Sequence, residues 1–494
     1  MPTFSLKSAS KKLSLNHEIH QHVIITWWSV GWSTIGFKMQ SRVWSSNIFR
    51  AAFLLIVVPG IFLGQTTREQ SIPSTAAKAD ALSTAIPQQT ASIIKDEAPP
   101  VYGLQGVLVE TLDGKTVSAQ SVEQPLNPAS AIKLATALVA IKAFGPHHRF
   151  TTGFWTNGSF DKATGQIQGN LYVTGRDPSF HYEHAVMIAR ELNGMGIRSV
   201  TGDLVISPGF TMNFSSSARR SGESLYDTLD STLRSGEATQ SWIYERTTLG
   251  DRLSLQTVPT VAVMGDVHVG PVVPAARLLL THKSSKLTSI LKVLLCYSNN
   301  FMAERIGDSL GGTQSVRRQL INGLGIPPGE VQLASLSGLG VNRVTPRAMM
   351  RILRALRSEL QKNRLSPADI MPVAGIDPGT LEDRFTGPDW QGSVIAKTGT
   401  LIRTDAGASS LVGQMRTAKG ETLLFVILNQ RGSVLRFREN QDYLVMQVQN
   451  SRGGPKPFSY KPVPLTMKLS DTESISGATS NEFEPILKAP ASTP

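Results

Sequence analysis

From Tyr102 to Glu110 and from Thr116 to Val122 the mixture of apolar and polar residues is strand-like, and Asp113-Gly114 between them is a strong hairpin signal. A long apolar segment, Pro128 to Phe144, follows and is closed by Gly145-Pro146. Proline in front and glycine behind bracket a helix of about four turns. It is apolar almost all the way round, which predicts a central, buried helix. Near the other end Ser393–Leu401, Ser409–Met415 and Thr422–Leu428 read as strands, the last two joined through Lys419-Gly420. Strands from both ends of a domain with helices between them predict one antiparallel sheet, covered by helices and assembled from distant segments. The expected fold class is α/β of the α+β type. Its main domain comprises residues 101–149 and 276–450. The stretch 150–275 is richer in Gly, Ser and short strands and reads as a smaller inserted domain.

Outside this region the pattern changes. Ala51 to Gly64 is an apolar run behind Arg42 and Arg50, shorter than a comfortable membrane span and suited to the core of an export signal. Some fifty residues precede it, and Met39 would be a natural alternative start. No convincing small-x-small cleavage site follows, so peripheral or anchored membrane association stays open beside a cleaved signal. Residues 1–64 are thus read as an extension with a signal or anchor, and residues 65–100, rich in Gln, Ser, Thr, Ala and Pro, as a solvated linker. Residues 451–494 look similar and are expected to be a disordered tail.

Composition narrows the function classes. With 40% hydrophobic and 17% charged residues among 494, the chain is too apolar for a disordered protein. Its single cysteine, Cys296, excludes an intramolecular disulfide framework and a Cys-based zinc site. The net charge of +12 is partly local, since residues 1–50 carry +5. The remaining Lys and Arg are scattered, without a basic-aromatic cluster or zinc-finger spacing, so no nucleic-acid partner is expected.

The candidate chemistry lies at the start of the buried helix. Ser130 and Lys133 stand three residues apart, on one face and within reach of each other. Burial without a partner lowers a lysine's pKa, and a neutral amine beside a hydroxyl is what a Ser–Lys nucleophile pair requires. The helix N-terminus adds free N–H groups and positive potential for an oxyanion. Ser-x-x-Lys recurs at Ser8, Ser92 and Ser289, so the spacing alone says little; only Ser130 opens a buried helix. Two further elements add weight. Ser298-Asn299-Asn300 follows the apolar helical stretch Leu287–Cys296, and Lys397-Thr398-Gly399-Thr400 lies on a late strand. Ser-x-x-Lys, Ser-x-Asn and Lys-Thr-Gly, in that order and each on its expected element, form the motif set of penicillin-binding proteins and class A β-lactamases.

On these residues the chain resembles the D-alanyl-D-alanine carboxypeptidase/endopeptidase family, the class C low-molecular-mass penicillin-binding proteins. His148–Thr152, Gly169–Val173 with Asp177-Pro178, Gly202–Val205, Asn342–Pro346 and Met371–Gly375 resemble family segments too. The resemblance implies a penicillin-binding-protein/serine β-lactamase-like core and an exported serine peptidase at the outer face of the cytoplasmic membrane or in the periplasm. Its partners would be peptidoglycan stem peptides, with β-lactams as inhibitors, and it would need no metal or cofactor. It also implies roles: Ser130 as nucleophile, Lys133 as general base, Ser298 as proton relay and Asn300 positioning Lys133 and the substrate amide. Lys397, Thr398 and Thr400, with Gly399 between, would bind the substrate's terminal carboxylate. The backbone N–H groups of Ser130 and Thr400 would form the oxyanion hole. A non-catalytic wall-binding or β-lactam-sensing protein, or a β-lactamase, are the alternatives on the same fold.

Three departures from the family stand out. Only 168 residues separate Ser130 from Ser298, so an inserted domain is reduced. The surroundings of Ser337-Gly338-Leu339 lack the usual acidic residue and Ser-Arg pair, and Asn299 stands where aspartate is usual. Gly307-Asp-Ser-Leu-Gly311 matches an esterase elbow, but every histidine precedes Ser309 and the segment reads as helix, which argues against that chemistry. His147-His148 and His181/His184 are not metal spacings, and Cys296 is expected as a buried, inert thiol.

Overall fold

In the computed structural model, residues 102–476 are described, so the signal and linker expectations for 1–100 and the last residues of the tail lie outside them. Five strands build the main sheet: β1 (Leu104–Thr111), β2 (Thr116–Gln120), β3 (Val394–Leu401), β4 (Ala408–Arg416) and β5 (Thr422–Gln430). Their order is β3-β4-β5-β1-β2, antiparallel throughout. Leu423–Leu428 is an unbroken apolar run because β5 is central and both of its faces are covered. The edge strand β2, by contrast, is mostly exposed.

Six helices pack around this sheet: α1 (Lys133–Phe144), α2 (Leu287–Tyr297), α3 (Asn300–Ser309), α4 (Gly312–Leu324), α5 (Pro346–Lys362) and α6 (Val434–Asn450). α5 starts with Pro346 behind Thr345, whose hydroxyl accepts the Ala348 N–H. Its buried residues Met349, Ile352, Leu353, Leu356 and Leu360 recur at helical spacing. This stripe lies on β1 and β5 and against α1. Val445 of α6 covers the other face with Val107, Val109, Phe425 and Ile427. In α1 every residue from Lys133 to Ile141 is buried.

The inserted stretch builds a second sheet with its own core, which includes Phe154, Val173, Phe180, Ile206 and Leu280. Its strands run in the order Val267–Val269, Leu204–Ile206, Leu171–Gly175, Thr151–Thr156, Arg277–Lys283 and Glu473–Ser476. Two expectations need correcting here. The insertion does not stop at 275, because the apolar Leu278–Leu280 belongs to a strand that pairs with Thr151–Thr156. Nor are residues 451–476 disordered. Ser451 N–H continues the end of α6, Thr417 bridges Pro455, Phe458 N–H bonds Gly392, and Tyr460 donates to Asp377 at 2.6 Å. The helix Leu465–Leu469 packs on α2, and Glu473–Ser476 pairs with Leu280–Lys283. Proline blocks helix and central strand but suits such a strap, which takes its bonds from sheet edges.

Candidate active site

The buried helix begins differently from its sequence pattern. Residues Ala129–Ile132 form a tight 3₁₀ turn, and α-helix proper starts at Lys133. Side chains three apart nearly eclipse in such a turn, so Lys133 stacks over Ser130. Lys133 Nζ lies 2.9 Å from Ser130 Oγ. The turn is set by Asn127, whose Oδ1 accepts the Ala129 N–H at 2.9 Å, and it holds Ala129 at φ 46°, a left-handed conformation that costs an alanine energy.

Lys133 is fully buried and has no carboxylate partner among the described residues. Its amine also meets Asn300 Oδ1 at 2.7 Å and the Ser337 carbonyl. Both are acceptors and take two of its N–H groups, while Ser130 Oγ accepts the third in the charged form; once deprotonated, the amine would turn its lone pair to the Ser130 hydroxyl. Burial first, then the charge of Lys397, pushes Lys133 well below the ordinary lysine range, against an opposing pull from Glu304. Lys292 makes the contrast plain: equally buried, it sits 2.6 Å from the Asp377 carboxylate.

Asn300 reaches this point through a sharp corner. Ser298 ends α2 in the left-handed region, φ 57° and ψ 37°, and α3 starts two residues later. Asn299 caps α3 by accepting the Met302 N–H at 2.9 Å. Asparagine caps as well as aspartate does, so this substitution preserves the corner. The Ser298 side chain is half-buried and makes no hydrogen bond among the described residues.

Lys397 is fully buried on β3, its Nζ donating to the Thr398 carbonyl at 2.7 Å. Burial pushes its pKa down to about 7, with Cys296 opposing. Gly399 is where β3 meets the nucleophile turn: an added Cβ would lie 2.6 Å from the Pro128 carbonyl oxygen and 2.1 Å from Ser410 Oγ. Residues 372–374 cover the outer edge of β3 only as far as Ala396. Thr400 Oγ1 accepts from Arg438 at 2.9 Å. Ser130, Lys133 and Asn300 are therefore joined by hydrogen bonds, Gly399 abuts their turn, and Lys397 lies within electrostatic reach.

The D-Ala-D-Ala carboxypeptidase 3 (S13) family matches residues 87–224 and 231–450, most of the chain. The chain belongs to that family. It is a serine-type D-Ala-D-Ala carboxypeptidase. It is 26% identical over 507 aligned positions to the D-alanyl-D-alanine carboxypeptidase of Actinomadura sp. R39, covering 83% of this chain and 92% of that one. In fold it is similar to the predatory endopeptidase Bd0816 of Bdellovibrio bacteriovorus. The TM-score is 0.61 and the identity 23%, over 74% of this chain and 98% of that chain. Penicillin-binding protein 4 of Haemophilus influenzae is similar too, with TM-score 0.53 and identity 21%, over 70% and 96% of the two chains.

Several groups at the carboxypeptidase's candidate site were not foreseen from sequence. Glu304, one turn beyond Asn300, accepts the Ser337 N–H at 2.8 Å and so holds the carbonyl that Lys133 and Ser130 both contact. Gly338 beside it has φ 93°, and an added Cβ would fall 2.1 Å from the Ala129 oxygen. A helical i, i+4 relation to Asn300 was the available signal for Glu304; Ser337-Gly338-Leu339 stood out only by its resemblance to a family segment, and nothing local marks the Ser337 carbonyl or Arg438. Ser309 lies within α3, its hydroxyl bonded to the Arg305 carbonyl, which removes the esterase elbow. Burial pushes the Cys296 thiol up to about 12. No cluster of three or more metal-ligating side chains occurs among the described residues.

Proposed function

We propose that this carboxypeptidase cleaves peptidoglycan stem peptides through an acyl-enzyme at Ser130. The observation that carries the reading is the fully buried amine of Lys133, its pKa pushed well down by burial, at hydrogen-bond distance from Ser130 Oγ. Ser130 Oγ attacks the carbonyl between two D-alanines as Lys133 takes the hydroxyl proton. The oxyanion is received by the backbone N–H groups of Ser130 and Thr400. Ser298 passes the proton to the leaving amine, D-alanine departs, and water then hydrolyses the ester and regenerates the hydroxyl. Asn300 keeps Lys133 aimed, and Lys397 with the Thr398 and Thr400 hydroxyls receives the terminal carboxylate. The open edge of β3 beyond Ala396 suits an extended peptide laid along it.

β-Lactams present a carboxylate and a strained amide to the same groups, so they should acylate Ser130. A fold neighbour, the peptidoglycan endopeptidase Bd3459, has been captured acylated by penicillin G. Cross-link endopeptidase activity would use the same acyl-enzyme. The apolar run at 51–64 would direct export, to the periplasm or the outer face of the cytoplasmic membrane. Among the described residues no helix is long and apolar enough to cross a membrane.

The test is labelling with a fluorescent penicillin, followed by assay of D-alanine release from a stem pentapeptide. Wild type should label and release D-alanine, and Ser130→Ala should do neither. Labelling that persists in Ser130→Ala refutes the nucleophile, and labelling without D-alanine release favours the β-lactam-sensing alternative.

A further inference from the structure

The end of β3 is flanked by a cation outside the motif set. Arg438 lies on the first turns of α6, which begins immediately beyond β5, and its guanidinium donates to Thr400 Oγ1 at 2.9 Å. It forms no ion pair with any described carboxylate. The neighbouring arginines are engaged: Arg384 binds Asp442, Arg436 pairs with Glu439 at 3.1 Å, and Arg343 holds Asp405 at 2.7 Å. Among these four, Arg438 is the one that points a guanidinium at a substrate-side hydroxyl, its charge being balanced only at longer range by Asp442, which Arg384 already binds.

We propose that Arg438 is a specificity-determining residue, which selects peptides ending in a free carboxylate by supplying a charge beside Thr400. This deepens the carboxypeptidase reading and rests on it for the position of the substrate. One hydroxyl already occupies part of the guanidinium fork, and the remaining N–H groups can meet a carboxylate oxygen in a charge-assisted contact. The division of labour with Lys397 follows from chemistry. Burial lowers the Lys397 pKa to about 7, so its charge weakens around neutral pH, whereas a guanidinium stays charged. Desolvation and the adjacent Arg384 press Arg438 below the usual arginine range, opposed by Asp442, and an incoming anion would relieve both. Arg438 touches neither the scissile carbonyl nor Ser130 in this account, so its effect belongs to substrate binding.

The experiment compares a peptide ending in D-Ala-D-Ala with the same peptide amidated at its C-terminus. Binding of both to Ser130→Ala is measured by calorimetry, with and without Arg438→Gln, and turnover is measured in the proteins that keep Ser130. Arg438→Gln should lower the preference for the free acid roughly 10- to 100-fold, through KM with kcat little changed. Arg438→Lys should restore part of it, and Arg436→Gln should leave it intact. An unchanged acid-to-amide ratio, or a loss confined to kcat, overturns the assignment. If wild type releases no D-alanine but Ser130→Ala still prefers the acid in an Arg438-dependent way, the peptidase reading fails and the carboxylate site stands. If turnover is normal and the preference is independent of Arg438, the present inference alone fails.

Discussion

Replacing Lys133 with methionine removes the amine while keeping an unbranched side chain of similar length. In the wild type the amine has three partners, Ser130 Oγ, Asn300 Oδ1 and the Ser337 carbonyl, and only the first requires it to accept a proton. Loss of a positioned general base costs about 10²- to 10⁴-fold in rate, or about 3–5 kcal/mol of barrier. Stability should move far less. The variant orphans two buried acceptors, each worth about 1–3 kcal/mol, but it also relieves the burial of an amine that lacks a counter-ion. Time-resolved labelling with a fluorescent penicillin reads the acylation rate, and thermal unfolding of the same samples reads stability. Lys133→Met should acylate at least about 100-fold more slowly than wild type while unfolding within a few degrees of it. Acylation at the wild-type rate in a folded variant would refute the assigned base. A collapse of Tm matching the loss of labelling would show that Lys133 is structural instead.

Other outcomes follow from the same groups. Carboxylate binding needs charged Lys397, so kcat/KM for a free-acid peptide should decline above pH of about 7 and approach tenfold per unit, and a flat profile to pH 9 would remove Lys397 from recognition. Asp377→Ala leaves Lys292 buried without its carboxylate and frees the Tyr460 hydroxyl, so urea unfolding should show a loss of about 3–5 kcal/mol. Burial, then His184 and Arg149, push His282 well below its ordinary pKa. The unfolded chain therefore binds a proton that the native state refuses. Stability should fall as pH drops below about 6.5, by up to about 1.4 kcal/mol per unit from this group, and His282→Phe should reduce that slope.

The main sheet was legible because its central strands are covered on both faces and its hairpins carry Gly at the turns, so Leu423–Leu428 and Asp113-Gly114 announce themselves locally. The site was legible where chemistry constrains residue type: a buried lysine one turn from a serine, and a strand with Lys-Thr-Gly. What escaped the sequence is what tertiary contact decides. The Ser337 carbonyl carries no side-chain signature, and its aim depends on Glu304 and on the absence of a Cβ at Gly338. The C-terminal segment misled for a similar reason: prolines and short polar clusters describe a solvated tail and an edge-seeking strap equally well. The insertion's limit at 275 failed because Arg277–Lys283 looks local yet pairs with a strand more than a hundred residues earlier.

That strap bears on when the molecule is finished. Glu473–Ser476 lies some 190 residues beyond Lys283, yet it completes a sheet whose other members all precede residue 284. Until residues 473–476 emerge, Leu280–Lys283 keeps an open row of donors and acceptors, the kind of border that invites mispairing. A ribosome-bound intermediate therefore carries a raw flank however far its core has settled.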